Sequence, residues 1–341
     1  MPDQKPHVVC LGTPKYAGED YLSQFSEDFE YSVLDATNRE ETISKLPQLI
    51  SEKGPVDGFI IRMGTPPYEP FDGELLAALK PSCKVIASAS AGYNEFDVDW
   101  MSKHGIIFCN SVDAVAEATA DMAFFLLLAV LRNTSNAEKS VKAGKWRSGT
   151  GLVPARDPSG MTLGIVGMGA IGKYLAKKAA AFNLKINYYN RRQLPPSDEA
   201  KYAATYCSSL HELLSSSDIV SINCPLNDKT TNLISSSEFA AMKDGAFLIN
   251  TARGAVIDEA AFKQALEAGK VKRAGLDVLC NEPNVDTWFF GRDDVVLQPH
   301  LGGLTDVAYM KAERECFENM RAYFQKGKAN SPVNMDRLVK S

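Results

Sequence analysis

Three short segments carry side chains that together can bind a carboxylate, polarise a neighbouring carbonyl and hand it a proton. Arg253 lies in Asn250-Thr251-Ala252-Arg253-Gly254, Glu282 in Asp277-Val278-Leu279-Cys280-Asn281-Glu282-Pro283, and His300 in Gln298-Pro299-His300-Leu301-Gly302-Gly303. Each follows an apolar run that reads as a strand. Ligands of an open α/β sheet bind outside the carboxyl ends of its strands, so the three segments should converge on one crevice. A guanidinium there clamps a carboxylate with its planar fork and polarises the adjacent carbonyl. An imidazole supplies the proton that the carbonyl oxygen needs as a hydride reaches its carbon. A carboxylate beside the imidazole orients it and favours its charged form. Taken singly, such a histidine is more often a packing residue, and the other two are more often surface charges. Joint placement at strand ends is what points to chemistry.

The reason to expect a hydride donor is the run Gly167-Met168-Gly169-Ala170-Ile171-Gly172. An apolar strand pattern, 162–166, precedes it and a helical pattern, 173–182, follows, the context of a dinucleotide-binding fingerprint. Gly167 permits the tight turn, Gly169 lets the backbone approach a pyrophosphate, and Gly172 lets helix and strand pack closely. The helix N-terminus then presents N–H groups and a positive dipole end to the phosphates. The next strand pattern, 185–189, runs into Asn190-Arg191-Arg192. An acidic residue at this point would bind the ribose hydroxyls and repel a 2′-phosphate. A neutral Asn190 followed by two guanidinium groups predicts NADP(H) in preference to NAD(H), with NAD(H) still possible.

The elements that must position these groups follow a repeating order. Strand patterns fall at 7–11, 31–34, 57–61, 83–87 and 106–110, and again at 162–166, 185–189, 218–223, 246–250, 274–278 and 295–297. Helical patterns between them include 74–79, 210–215, 237–242 and 259–268. Alternating strands and helices predict α/β architecture with parallel sheets. One long helical pattern, 113–132, is apolar nearly all round from 122 to 131, which predicts burial and a crossover between domains. A last amphipathic helix, 305–326, should return to the first domain. The expected fold is therefore two doubly wound parallel-sheet domains, with a dinucleotide-binding domain at 113–300 inserted into a substrate-binding domain at 1–112 and 301–341.

Composition narrows the class. The chain has 341 residues, is 45% hydrophobic and carries a net charge of −5, which suits a soluble protein of two domains and argues against nucleic-acid or membrane-surface partners. The opening Met1-Pro2-Asp3-Gln4-Lys5-Pro6 has no apolar signal core, and the 122–131 run is too short to span a bilayer. Seven cysteines with no Cys-x-x-Cys spacing read as reduced packing residues in a cytoplasmic protein, with no metal site.

Taken in order, Ala114-Val115-Ala116-Glu117, the 167–172 fingerprint, the 250–254 run, Gly275–Val278 with Glu282-Pro283, and 299–303 resemble the D-isomer-specific 2-hydroxyacid dehydrogenase family over nearly the whole chain. The resemblance points to its NADP-preferring branch, of glyoxylate/hydroxypyruvate reductase or D-mandelate dehydrogenase type. It implies an inserted Rossmann cofactor domain and a discontinuous flavodoxin-like substrate domain. It makes Arg253 the group on the substrate carboxylate and carbonyl, Glu282 the support and His300 the acid/base. Ala91 and Gly92, in Ser90-Ala91-Gly92-Tyr93, would grip the carboxylate through their N–H groups. Cys224, Pro225, Thr230, Thr251 and Ala252 would line the cofactor, and Asp277 would meet the nicotinamide carboxamide. The family's usual acidic residues stand here as Asn190 and Asn94. The implied reaction is NADPH-dependent reduction of a 2-oxo acid to a D-2-hydroxy acid by a homodimer. Tyr93, Phe96 and Trp288-Phe289-Phe290 could wall a pocket for a bulky side chain or could be packing, so glyoxylate, hydroxypyruvate and aromatic 2-oxo acids stay open. The rival reading, a dinucleotide-sensing corepressor on the same fold, would be expected to carry disordered tails.

Overall fold

Runs of valine, isoleucine and leucine with almost no charge, such as His7-Val8-Val9-Cys10-Leu11, suit strands covered on both faces, and all five residues of that run are buried. The computed structural model describes residues 5–147 and 150–338, so the opening Met1-Pro2-Asp3-Gln4 lies outside the described residues. In chain order the elements are β1 (His7–Leu11), α1 (Glu19–Asp28), β2 (Glu30–Leu34), α2 (Arg39–Lys53), β3 (Gly58–Ile61), α3 (Gly73–Leu76), β4 (Val85–Ser88), α4 (Val98–Lys103) and β5 (Ile107–Cys109). Then come α5 (Val112–Arg132), α6 (Thr134–Lys142), β6 (Thr162–Val166), α7 (Ala170–Ala180), β7 (Lys185–Tyr189), α8 (Pro196–Tyr202), β8 (Ala204–Tyr206), α9 (Leu210–Ser216) and β9 (Ile219–Ile222). The chain closes with α10 (Ser236–Ala241), β10 (Ala246–Asn250), α11 (Glu259–Glu267), β11 (Val271–Leu276), β12 (Val295–Leu297) and α12 (Asp306–Lys326).

Two compact units result: Met1–Val115 with Thr305–Ser341, and Ala116–Leu304. Both divides fall a few residues after 112 and 300, for local reasons. The Ser111 hydroxyl, just before α5, donates to the Ser88 carbonyl at 3.1 Å and to the Ala312 carbonyl on α12 at 3.4 Å, which ties the start of α5 to unit 1. Leu301 and Gly302 donate to Asp277, which keeps the segment after β12 in unit 2.

Unit 1 is a five-stranded parallel sheet of order β2-β1-β3-β4-β5. Unit 2 is a seven-stranded parallel sheet of order β12-β11-β10-β9-β6-β7-β8. Strand order reverses between β1 and β3 in the first and between β6 and β9 in the second, which marks a ligand crevice at the carboxyl ends of each pair. β8 has no apolar run to announce it: it is an Ala-Thr-Tyr edge strand paired only with β7. β11 begins at Val271 rather than 274, where the charged Lys272 and Arg273 disguise it; Arg273 donates to the Val130 carbonyl at 3.1 Å.

In unit 2, α5 packs Ala120, Ala123, Leu126, Leu127, Val130 and Leu131 into one core with β6, β7 and α7. The whole stretch Asp113–Arg132, longer than the apolar run alone, does reach membrane-spanning length and hydropathy, but 67% of an 18-residue window within it is buried inside the protein. Trp288 and Phe289 belong to the other core of this unit. The Arg292 guanidinium lies 4.0 Å from the centre of the Trp288 ring, Trp288 Nε1 donates to Glu267, and Phe289 is buried, whereas Phe290 is 63% exposed. Phe96 is likewise packing, stacked on Phe71 at 4.6 Å, while Tyr93 stays exposed.

Candidate active site

The fingerprint turn closes on β9. Gly167 has φ +99°, and a Cβ there would stand 2.9 Å from the Asn223 carbonyl carbon and the Cys224 nitrogen, closer than real side chains come. Gly172 faces the Gly167 carbonyl, so a side chain at that position would push α7 off β6. Gly169, by contrast, faces open space and caps α7 with no side-chain hydrogen bond, while Ala170 and Ile171 form the first helical turn half-buried. Backbone N–H groups at this end are therefore open to an anion.

Asn190, beyond β7, accepts the Met168 N–H at 2.7 Å and so braces the turn. Arg191 and Arg192 follow it, both exposed. Acidic neighbours on α8 are already engaged: Asp198 by Lys173 at 2.7 Å, and Glu199 by the Tyr188 hydroxyl at 2.6 Å and the Gln193 amide at 2.9 Å.

Beyond β9 and β10 lie two buried polar atoms, Asn223 Oδ1 and Thr251 Oγ1, that have no partner among the described residues. Ile222 pairs with Asn250, so both follow directly on the paired strand ends beside the turn. Buried polar groups are nearly always satisfied. This orphaned pair, with the bare Gly167 and Gly169, fits a ligand that brings polar edges into the crevice, as a nicotinamide dinucleotide does. Asn223 escaped the sequence reading because a single Asn after a strand carries no pattern.

Two further residues expected at the cofactor are hydrogen-bonded within the chain. Thr230 turns into its own loop, its hydroxyl donating to the Pro225 carbonyl at 2.6 Å and accepting the Asn227 N–H at 2.8 Å. Asp277, expected at the carboxamide, is 1% exposed and takes the Leu301 and Gly302 N–H groups, each at 2.8 Å, on its two oxygens. Its carbonyl also accepts the His300 N–H at 2.8 Å. Asp277 is thus the clamp that holds His300 at φ +58°, a left-handed conformation uncommon outside glycine. Burial pushes the Cys224 thiol up to about 11 and the Cys280 thiol up to about 12, so neither is a thiolate at neutral pH.

Arg253, Glu282 and His300 come together on three adjoining loops of unit 2. Asn250, fully buried, brackets the first: its amide donates to the Arg253 carbonyl at 2.9 Å and accepts the Ala252 N–H at 3.0 Å. Arg253 is half-buried, with Nη1 on the Ala252 carbonyl at 2.9 Å. The second loop docks on the first at Gly254, where a Cβ would overlap the Leu279 carbonyl and the Cys280 nitrogen. Gly254→Ala is therefore expected to cost about 1–3 kcal/mol by overpacking and to displace Glu282. A thermal melt and loss of the Glu282–His300 contact in a variant structure check it; an unshifted melt would contradict it.

Glu282 accepts the Leu279 N–H on Oε1 at 2.8 Å and meets His300 Nδ1 on Oε2 at 2.7 Å. Their side chains are 36% and 44% exposed, so the pair is partly open to solvent. Burial alone would raise the Glu282 carboxyl. The His300 hydrogen bond, the Leu279 N–H and the charges of His300 and Arg253 outweigh it and hold the group below its ordinary value. With the folded value depressed, the stabilisation from this contact is complete above the ordinary carboxylate range and is lost as pH falls through the lower value.

In unit 1, the Ser90-Ala91-Gly92 loop leaves β4 with the Ala91 carbonyl held by Asn110 Nδ2 at 2.7 Å and Ser90 N–H on Ser88 Oγ at 3.2 Å. Ala91 and Gly92 are half-buried.

Fold and site together define a dinucleotide-binding α/β protein with an oriented arginine, glutamate and histidine. Residues 124–302 match the family model "D-isomer specific 2-hydroxyacid dehydrogenase, NAD binding domain". The dehydrogenase efuE of Hormonema carpetanum is 59% identical over 98% of this chain and 82% of its own. Among solved structures, a glyoxylate reductase from Paecilomyes thermophila is 36% identical with a TM-score of 0.89, covering 98% of this chain and 100% of that one. The apo D-mandelate dehydrogenase of Rhodotorula graminis is 33% identical with a TM-score of 0.87, covering 96% and 97%. The chain belongs to the D-isomer-specific 2-hydroxyacid dehydrogenase family. It is an oxidoreductase of the 2-oxo acid/2-hydroxy acid pair that uses a nicotinamide dinucleotide.

Proposed function

We propose that the chain is an NADP(H)-dependent D-2-hydroxyacid dehydrogenase working as a 2-oxo acid reductase, with His300 as acid/base, Glu282 as its support and Arg253 on the substrate carboxylate and carbonyl. The observation that carries it is the 2.7 Å Glu282–His300 contact on a loop interlocked with that of Arg253. When bound, the nicotinamide supplies a hydride to the carbonyl carbon. Arg253 draws charge toward the carbonyl oxygen, and Glu282 keeps Nδ1 occupied so that Nε2 of His300 delivers the proton. Ala91 and Gly92 hold the carboxylate through backbone N–H groups. Gly167, Gly169, Ala170, Ile171 and Gly172 take the pyrophosphate, Cys224, Pro225, Thr251 and Ala252 line the cofactor, and Asn190, Arg191 and Arg192 face its ribose. A spectrophotometric screen of NADPH against glyoxylate, hydroxypyruvate, pyruvate, 4-methyl-2-oxopentanoate and phenylglyoxylate tests the reading. Turnover of none of them would overturn it.

The choice of NADPH rests on the exposed Arg191–Arg192 pair and the neutral Asn190. Replacing both arginines with alanine should weaken NADPH binding by about 1.5–3 kcal/mol, roughly ten- to a hundredfold, and leave NADH nearly unchanged. Equal losses for the two cofactors, measured by fluorescence titration, would refute the phosphate clamp. A homodimer is supported by apolar side chains left outside the unit 2 core, Phe125 at 51% and Trp146 at 71% exposure. A cytoplasmic setting is supported by seven free cysteines, and a role apart from membranes and nucleic acid by the burial of α5 and the negative net charge.

A further inference from the structure

The short edge strand β8 brings a tyrosine to the loop that carries Arg191 and Arg192. Tyr206 on β8 lies in register with Tyr188 on β7, their rings 5.4 Å apart. Between β7 and α8 the chain runs through Asn190-Arg191-Arg192-Gln193-Leu194-Pro195. Each tyrosine sets its hydroxyl against one end of that loop. Tyr206 donates to the Asn190 carbonyl at 3.3 Å, and Tyr188 accepts the Leu194 N–H at 2.9 Å.

The Tyr188 hydroxyl has a second task. Its proton goes to Glu199 on α8 at 2.6 Å, and the same carboxylate oxygen takes the Gln193 amide at 2.9 Å. The residue is fully buried in the core of unit 2, so the core fixes the hydroxyl and the hydroxyl fixes the loop. Asn190 is pinned from the other side, its Oδ1 accepting the Met168 N–H at 2.7 Å. The loop is thus tied at Asn190, Gln193 and Leu194, and the residues left between the ties are Arg191 and Arg192. Both are exposed, and among the described residues neither has a carboxylate within ion-pair distance. Neighbouring guanidiniums repel each other, so the order of this loop comes from its ties and not from its own charges.

Such order matters to a phosphate. A forked arginine contact needs a fixed geometry, and a loop that must be ordered at the moment of binding takes that cost out of the affinity. We propose that Tyr188, assisted by Tyr206, is a positioning residue for cofactor selectivity: it holds Arg191 and Arg192 ready for the 2′-phosphate of NADP(H) and does nothing for NAD(H). This rests on the reading of Arg191 and Arg192 as the phosphate clamp.

The test is a fluorescence titration of NADPH and of NADH on the native protein, Tyr188→Phe and Tyr206→Phe. The native protein should bind NADPH more tightly than NADH by roughly tenfold or more. Tyr188→Phe keeps the ring in the core but removes the acceptor for Leu194 and the donor to Glu199. It should weaken NADPH by about five- to fiftyfold while NADH changes less than about twofold. Tyr206→Phe, at a half-buried position that loses one longer contact, should cost NADPH about two- to fivefold, and it decides the matter should Tyr188→Phe fail to fold. A merely structural role would weaken both cofactors alike. Equal losses for the two, or an unchanged NADPH-to-NADH ratio in the deciding variant, overturns the brace and leaves the clamp standing. A native protein that binds the two cofactors equally overturns the clamp and the brace together.

Discussion

His300→Asn is expected to lower kcat for 2-oxo acid reduction by about 10²–10⁴-fold, the range over which a positioned acid/base contributes. Asparagine is the informative replacement because the position sits at φ +58°, a conformation asparagine tolerates. The Asp277 clamp on the His300, Leu301 and Gly302 N–H groups then stays intact, and what is lost is the proton-carrying nitrogen. NADPH affinity and melting temperature should change little. Steady-state kinetics beside a fluorescence titration of NADPH separate the two effects. A variant that keeps kcat within about tenfold of the native value would remove His300 from the proposed chemistry.

Arg253→Ala is expected to reduce kcat/KM by about 2–5 kcal/mol, roughly 30- to several-thousand-fold, the range for truncating one member of a desolvated charge pair. The loss should appear in both KM and kcat, since the guanidinium is proposed to bind the carboxylate in the ground state and to polarise the carbonyl on the way to the transition state. Arg253→Lys should recover only part, because an ammonium lacks the planar fork. The Arg253 carbonyl is held by Asn250 through the backbone, so the loop should survive the truncation. Unchanged kcat/KM with intact NADPH binding would favour reduction of a carbonyl compound that carries no acid group.

Much of the fold was legible because the relevant signals are local. The apolar runs at 162–166, 185–189, 246–250 and 295–297 coincide with β6, β7, β10 and β12. The close contact of Gly172 with the Gly167 carbonyl is set within the strand–turn–helix unit itself, so its spacing announces the turn, whereas the Gly167 contact reaches across to Asn223 and Cys224 after β9. What failed to show were elements without an apolar run, such as β8, and side chains with two plausible fates. Trp288 and Phe289 could have walled a pocket; Arg292, Glu267 and the core of unit 2 claim them instead.

Residue type and short spacing were enough for the two alternating α/β units, the dinucleotide turn, the neutral-plus-basic end of β7 and the identities of Arg253, Glu282 and His300. How those side chains are held became visible in the folded chain alone. The Asp277 clamp and the Gly254 contact join residues far apart in the chain, and the orphaned Asn223 and Thr251 oxygens follow two different, paired strands. Such contacts arise when parallel strands align their carboxyl ends, and a linear pattern carries no record of that alignment.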